Sequence, residues 1–313
     1  MRIYRHYKTL PAEARGAAIA VGNFDGVHKG HYRVIQEAGA IAKDAGIPWA
    51  VLTFEPHPRT VFQPGTAPFR LTPFRAKARA LKALGVDLMI VQKFSRNFSQ
   101  NPAEDFVKSV LVDGFGAKHV VSGYDFVFGH GRQGNCELLL SMGQQLGFGF
   151  TAISAVESPE GFVYSSTRVR QCLESGDARG AAEILGRTYA IEGRVAHGAK
   201  LGRTIGFPTA NIHLGPLLRP KRGIYAVRVT VDGEDRIIEG VASIGNRPTV
   251  YGIGDILEVY LFDFNADIYG RRISIELIEF IRAEAKFDSV EEMRIEIERD
   301  VEKSRAILQS QRN

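Results

Sequence analysis

His28 and His31 are the residues of this chain whose types and spacing are best suited to chemistry. They close the run Gly22-Asn23-Phe24-Asp25-Gly26-Val27-His28-Lys29-Gly30-His31. An apolar strand, Ala17 to Val21, leads into this run and an amphipathic helix follows it. A turn in that setting aims backbone N–H groups at an anion, and the helix dipole adds favourable positive potential. Gly22, Gly26 and Gly30 permit a tight turn and a close backbone approach. The ring N–H groups of His28 and His31 can then meet the negative charge that grows as a phosphorus centre is attacked. An isolated His-x-Gly-His reads as two loop histidines; its placement between strand and helix favours a nucleotide-phosphate site instead.

Three further runs fall where strands end. Thr53-Phe54-Glu55-Pro56-His57-Pro58 closes a second strand. Gly123-Tyr124-Asp125-Phe126-Val127-Phe128-Gly129 follows a later one, and its aromatics either pack in a core or stack on a planar ligand. Ser165-Ser166-Thr167-Arg168-Val169-Arg170 offers hydroxyls that cap a helix or line an anion site, with arginines able to fork onto phosphate oxygens. Farther on, the stretch from Gly193 to Asn211 is dense in glycine. Gly198, Gly202 and Gly206 suit a loop wrapped around phosphates, Lys200 and Arg203 add charge, and Thr209 and Asn211 supply hard oxygen ligands suited to Mg²⁺. A long turn between strands is the plainer explanation of the glycines alone.

The elements that must position these groups fall into two sets. At 313 residues the chain is long enough for two cores. From Ala17 to about Val156, apolar strands alternate with helical stretches, as in a doubly wound parallel α/β sheet. Val34, Ile35, Ala38, Ile41 and Ala42 recur at helical spacing until Gly46-Ile47-Pro48, and Trp49 to Phe54 reads as a buried strand. Thr72-Pro73 reads as a cap and first helical position before Leu81 and Leu84, and Asp87 to Val91 as a strand. Phe106, Val107, Val110 and Leu111 mark another helix, His119 to Ser122 a strand, and Cys136 to Leu146 a helix. Thr167 to Gly186, with Asp177 as a cap and Gly186 as a stop, predicts short bridging helices. After Gly186 the period becomes two. Tyr189–Ala196, Ile224–Val231, Ile237–Ile244, Leu257–Phe264 and Ile273–Ile281 predict a small antiparallel β-barrel, with a terminal helix from Val290 to Leu308.

Composition excludes several classes. The net charge of +5 suits anionic ligands, but no Lys/Arg cluster interleaved with aromatics forms a nucleic-acid platform. Cys136 and Cys172 lack metal-ligand or disulfide spacing and are expected to act as small buried hydrophobes. No apolar run reaches membrane-spanning length and no leader pattern opens the chain, so a cytoplasmic protein without membrane partners is expected.

The GNFDGVHKGH and SSTRVR runs resemble those of His-x-Gly-His nucleotidylyltransferases. With FEPHP and GYDFVFG, residues 1–185 resemble the adenylyltransferase domain of bacterial bifunctional riboflavin kinase/FAD synthetases. Residues 186–313 resemble their riboflavin kinase domain. There the match runs through Pro208-Thr209-Ala210-Asn211, Lys221-Arg222-Gly223-Ile224-Tyr225, Gly245-Asn246-Arg247-Pro248-Thr249, Glu258 to Phe264, Ile268-Tyr269-Gly270, Arg282 and Lys286-Phe287. The resemblance implies riboflavin, FMN, FAD and ATP as substrates and products, and Mg²⁺ with the ATP. It places Gly22, Asn23, Phe24, Asp25, Gly26, Ser166, Thr167 and Arg170 at the first ATP, with His28 and His31 as the transition-state donors. His57, Asp125 and Phe128 fall at the flavin of that domain. In the second domain it places Gly198, Lys200, Gly202, Arg203, Gly206 and Pro208 at ATP, Thr209 and Asn211 at Mg²⁺, Glu258 as the base and Arg282 at the flavin. Two alternatives stand beside it: a nucleotidylyltransferase with another acceptor, and a flavin-binding regulator without turnover.

Overall fold

The structure is a computed structural model that describes residues 1–197, 202, 205–249 and 252–311. It divides into two compact units, Met1–Ala67 with Thr72–Ser165, and Pro68–Leu71 with Ser166–Asn313.

The first unit is built on six parallel strands: β1 (Arg2–Arg5), β2 (Ala18–Val21), β3 (Trp49–Glu55), β4 (Leu88–Lys93), β5 (His119–Gly123) and β6 (Gly149–Ile153). Their order is β1-β4-β3-β2-β5-β6. Both faces of the sheet are covered, which is why its strands read as continuous apolar runs. Ile19, Val21, Leu52 and Phe54 join one core cluster, whereas Ala20, Val51 and Met89 join the other. The helices are α1 (Lys29–Ala45), α2 (Pro58–Phe62), α3 (Phe74–Ala83), α4 (Ala103–Asp105) and α5 (Cys136–Leu146), and α4 continues as a π-helical stretch over Phe106–Val112. Because β2 lies between β3 and β5, the chain reverses direction there, and such a switch point opens a crevice at the strands' carboxyl ends. The GNFDGVHKGH run leaves β2 at that point.

One cap expectation fails. The N-cap of α3 is Pro73, with no side-chain cap hydrogen bond, because the Thr72 hydroxyl is taken by the loop after β2. Cys136 and Cys172 are free but half-buried, so neither is the fully buried hydrophobe expected.

The second unit carries α6 (Ser166–Ser175), α7 (Ala178–Leu185), six antiparallel strands and α8 (Val290–Ser310). Asp177 caps α7 by accepting from Gly180 N at 2.8 Å, and Gly186 ends it in the left-handed region, as the sequence predicts. The strands are β7 (Ala190–Arg194), β8 (Thr209–His213), β9 (Gly223–Val231), β10 (Ile237–Thr249), β11 (Gly252–Leu261) and β12 (Arg272–Arg282), in the order β7-β12-β9-β10-β11-β8. A bridge in which Ala196 N donates to Asn211 O at 2.8 Å ties β8 to the segment after β7, so the sheet curls into a nearly closed barrel. Helix α8 starts at the Ser289 cap and packs Val301, Ile307 and Leu308 against Ala226, Val241, Phe262 and Ile278.

Candidate functional site

In the first unit the turn from Gly22 to His28 is bent by three residues with positive φ: Phe24 (48°), Gly26 (90°) and Val27 (45°). Such a conformation is unfavourable for phenylalanine and more so for a β-branched residue, so the surroundings must hold it. Asp25, which is buried, accepts from the Thr72 backbone N–H at 3.0 Å and from its hydroxyl at 3.2 Å, while Gly26 N donates to that hydroxyl at 2.6 Å. The Asp25 carboxylate and the Phe24 ring are therefore parts of the turn's frame. Of the expected ATP residues between Gly22 and Gly26, Asp25 spends its carboxylate on Thr72 and Phe24 packs its ring on His31.

His28 is the N-cap of α1. Its Nδ1 accepts from His31 N at 3.3 Å, so the neutral ring carries its proton on Nε2 and can donate from there. The rings of His28 and His31 stack with centroids 3.6 Å apart, and the Phe24 ring stands edge-on to His31 at 5.3 Å. Gly30 makes the stack possible. A Cβ there would lie 3.1 Å from the His28 ring and from the Tyr164 carbonyl.

Beside this turn, aromatic side chains enclose a cavity of about 880 Å³. Phe54, Phe62, Phe94, Phe98, Phe106 and Phe128 supply most of its apolar wall, and His57, Arg59, Arg132 and Asn23 its polar groups. The Phe126 and Phe128 rings stack at 5.5 Å, and Phe128 meets Phe106 at 5.2 Å. Phe106 opens the π-helical stretch, an irregularity that frequently accompanies functional sites. The volume and the flat apolar walls suit a planar polycyclic ligand. Of the expected flavin residues, His57 and Phe128 line the cavity. Asp125 is exposed and is not among its lining residues.

Ser166, Thr167 and Arg170 lie on the first turns of α6, in the second unit. Arg170 Nε donates to Phe69 O at 2.9 Å and its guanidinium lies over the Phe69 ring.

The barrel gathers a second set. Register pairs Glu258 with Asn211 and Tyr260 with Thr209 across β11 and β8, so all four side chains share one face. Thr209 and Pro208 also line a cavity of about 240 Å³ with Val195 and Tyr269. Gly202 and Gly206 shape the entry to β8. Phe207 N donates to Gly202 O at 2.7 Å, a Cβ on Gly202 would collide with the Phe207 carbonyl, and Gly206 has φ 88°. Gly198, Lys200 and Arg203 lie outside the described residues. Arg282, expected at the flavin, is gripped by α8. Its Nε and Nη2 donate to the two Asp300 carboxylate oxygens at 2.9 and 2.6 Å, and Glu296 stands 3.4 Å away. Burial raises the Asp300 carboxyl above the ordinary aspartate value even though Arg282 opposes the shift.

Sequence reasoning gave Thr72 only as a helix cap and missed Lys77; both hold the turn after β2. Among the described residues, no group of three or more His, Cys, Asp or Glu side chains could hold a metal ion, and no helix is long and apolar enough to cross a membrane.

Comparison with known proteins agrees with the two-unit reading. The FAD synthetase family model matches residues 10–168, and the riboflavin kinase family model matches residues 185–308. A bifunctional riboflavin kinase/FMN adenylyltransferase of Haemophilus influenzae is 41% identical over 99% of this chain and 100% of its own length. Its counterpart from Escherichia coli K12 is 42% identical over 96% of each chain. Among solved structures, the crystal structure of a macrolide-efflux protein from Streptococcus pneumoniae superposes with a TM-score of 0.84 at 31% identity, covering 97% of this chain and 98% of that one. Full-length identity at this level, in step with both family models, places the chain in the bifunctional riboflavin kinase/FMN adenylyltransferase family.

Proposed function

We propose that this protein makes FMN from riboflavin and ATP in its barrel unit and FAD from FMN and a second ATP in its parallel-sheet unit. The observation that carries the reading is the stacked His28–His31 pair at the switch point of the sheet, beside an aromatic cavity large enough for a flavin ring system.

In the adenylyl step a phosphate oxygen of FMN attacks the α-phosphorus of ATP, the bond from that phosphorus to the β-bridging oxygen breaks, and pyrophosphate leaves. No protein nucleophile is required, so alignment and charge stabilisation account for catalysis. His28 donates from Nε2, and His31 and the backbone N–H groups at the head of α1 add to the field. Ser166, Thr167 and Arg170 are assigned to the phosphates of that ATP by the sequence motif. His57 and Phe128 face the flavin ring, and Asp125 is assigned to its rim.

In the kinase step the riboflavin 5′-hydroxyl attacks the γ-phosphorus, the carboxylate of Glu258 accepts the hydroxyl proton, and ADP leaves. Thr209, Asn211 and Glu258 present hard oxygen donors on one face of two adjacent strands, a set that fits Mg²⁺. Thr209 and Asn211 would hold the ion, which when bound neutralises charge on the ATP phosphates. Gly198, Lys200, Gly202, Arg203, Gly206 and Pro208 are assigned to the nucleotide, and Arg282 to the flavin side, where Asp300 fixes its direction.

The direct test is a time course with riboflavin, ATP and Mg²⁺, resolving riboflavin, FMN and FAD by chromatography. FMN should form first and FAD from it. An absence of FMN would sink the kinase assignment, and FMN without FAD would sink the adenylyltransferase assignment.

A further inference from the structure

Lys77 has no exposed surface, lies on the inward face of α3, and has no part in the two reactions as set out above. Its ammonium donates to the Asn23 carbonyl at 2.7 Å and to the Thr53 hydroxyl at 3.2 Å, and stands 3.6 Å from the Glu55 carboxylate. The Thr53 hydroxyl donates to the same Asn23 carbonyl at 3.1 Å. A buried ammonium is tolerated where it is paired and hydrogen-bonded. Here its partners come from the two runs that face the two substrates. Asn23 opens the strained turn that ends in His28, whereas Thr53 and Glu55 close β3 just before His57, and both Asn23 and His57 line the aromatic cavity.

The turn is held at its middle and at its start. Thr72 holds its middle through Asp25 and Gly26, and Lys77 holds its start, at the peptide that precedes the positive-φ Phe24. We infer that Lys77 is a positioning residue for adenylyl transfer. It fixes the Asn23 peptide, and so sets the His28–His31 pair at a constant distance from the wall that receives the flavin. This deepens the proposed function and rests on the reading that the first unit transfers AMP to FMN.

The test is steady-state FAD formation from FMN and ATP by full-length Lys77→Met, with riboflavin phosphorylation by the same sample as an internal control. Misplacing reacting groups by about 1 Å costs roughly 10²-fold, so kcat for FAD formation should fall by about that factor. KM for FMN should stay within about threefold, because the cavity wall is intact. Phosphorylation of riboflavin should be unchanged, and Lys77→Gln, which keeps an N–H for the Asn23 carbonyl, should recover part of the loss. A lysine needed only for folding would lower activity in proportion to the unfolded fraction on the melting curve; that pattern, or wild-type kcat in folded Lys77→Met, overturns the inference. Where Lys77→Met does not fold, Lys77→Gln decides. A fall in kcat of about tenfold at unchanged melting temperature supports the inference, and wild-type kcat overturns it. If the unmodified protein itself forms no FAD from FMN, the functional reading fails and not the role of Lys77.

Discussion

At the scale of single residues, the histidine pair depends on Gly30 as much as on its own rings. A methyl group there would press on the His28 ring and on the Tyr164 carbonyl, each at 3.1 Å. Gly30→Ala is therefore expected to lower FAD formation at least about tenfold, measured by chromatography, while riboflavin phosphorylation by the same sample is kept. His119 offers a pH test. Burial lowers its imidazole pKa below the ordinary 6.5, the nearby Glu37 opposing only in part, and its Nε2 shares a 2.8 Å hydrogen bond with Thr151. The unfolded chain then binds this proton more readily than the folded one. The group's contribution to stability is present above pH 6.5 and is lost as the pH falls through the lowered value. Melting temperature should drop more steeply from pH 7 to pH 5 in the wild type than in His119→Gln; parallel curves would count against this. His28 and His31 were legible because their strand, turn and helix are contiguous in the chain. Lys77 and Thr72 were not, because their partners Asn23 and Asp25 lie 54 and 47 residues away and a lysine normally reads as solvated.

At the scale of elements, apolar periodicity located most strands and helices, and cap chemistry located α7. It failed at α3, where tertiary demand took the hydroxyl that local rules would spend on the helix. It was also silent on β8, since the Pro208-Thr209-Ala210-Asn211 run reads as a ligand loop and only pairing with β11 shows Thr209 and Asn211 as alternate residues of a strand. Helix α8 shows a similar conflict. Its inward face mixes Leu308 with the buried Asp300 and Ser304, and the Asp300 charge is tolerable because Arg282 of β12 answers it with two hydrogen bonds. Arg282→Leu strands a buried carboxylate and should cost about 3–5 kcal/mol in denaturant unfolding. Adding Asp300→Leu to it should return much of that loss; a double variant as unstable as the single one would mean that the pair is not what holds α8.

At the scale of the whole molecule, two units with unrelated architectures carry unrelated chemistry that shares one intermediate. The parallel sheet brings the turn with the histidine pair to its switch point, and the barrel aligns a carboxylate with an asparagine and a threonine on adjacent strands. Two-domain organisation and both activities could be read from motif order. The aromatic cavity could not, because its phenylalanines come from six separate segments between Phe54 and Phe128. The central claim is that each unit performs one step of a two-step synthesis, and a separation-of-function assay tests it most directly. His31→Ala and Glu258→Ala are given riboflavin, ATP and Mg²⁺, first separately and then mixed. His31→Ala should accumulate FMN without FAD, Glu258→Ala should leave riboflavin untouched yet convert added FMN to FAD, and the mixture should make FAD from riboflavin. Loss of both activities in each folded variant, with no FAD from the mixture, would contradict the account.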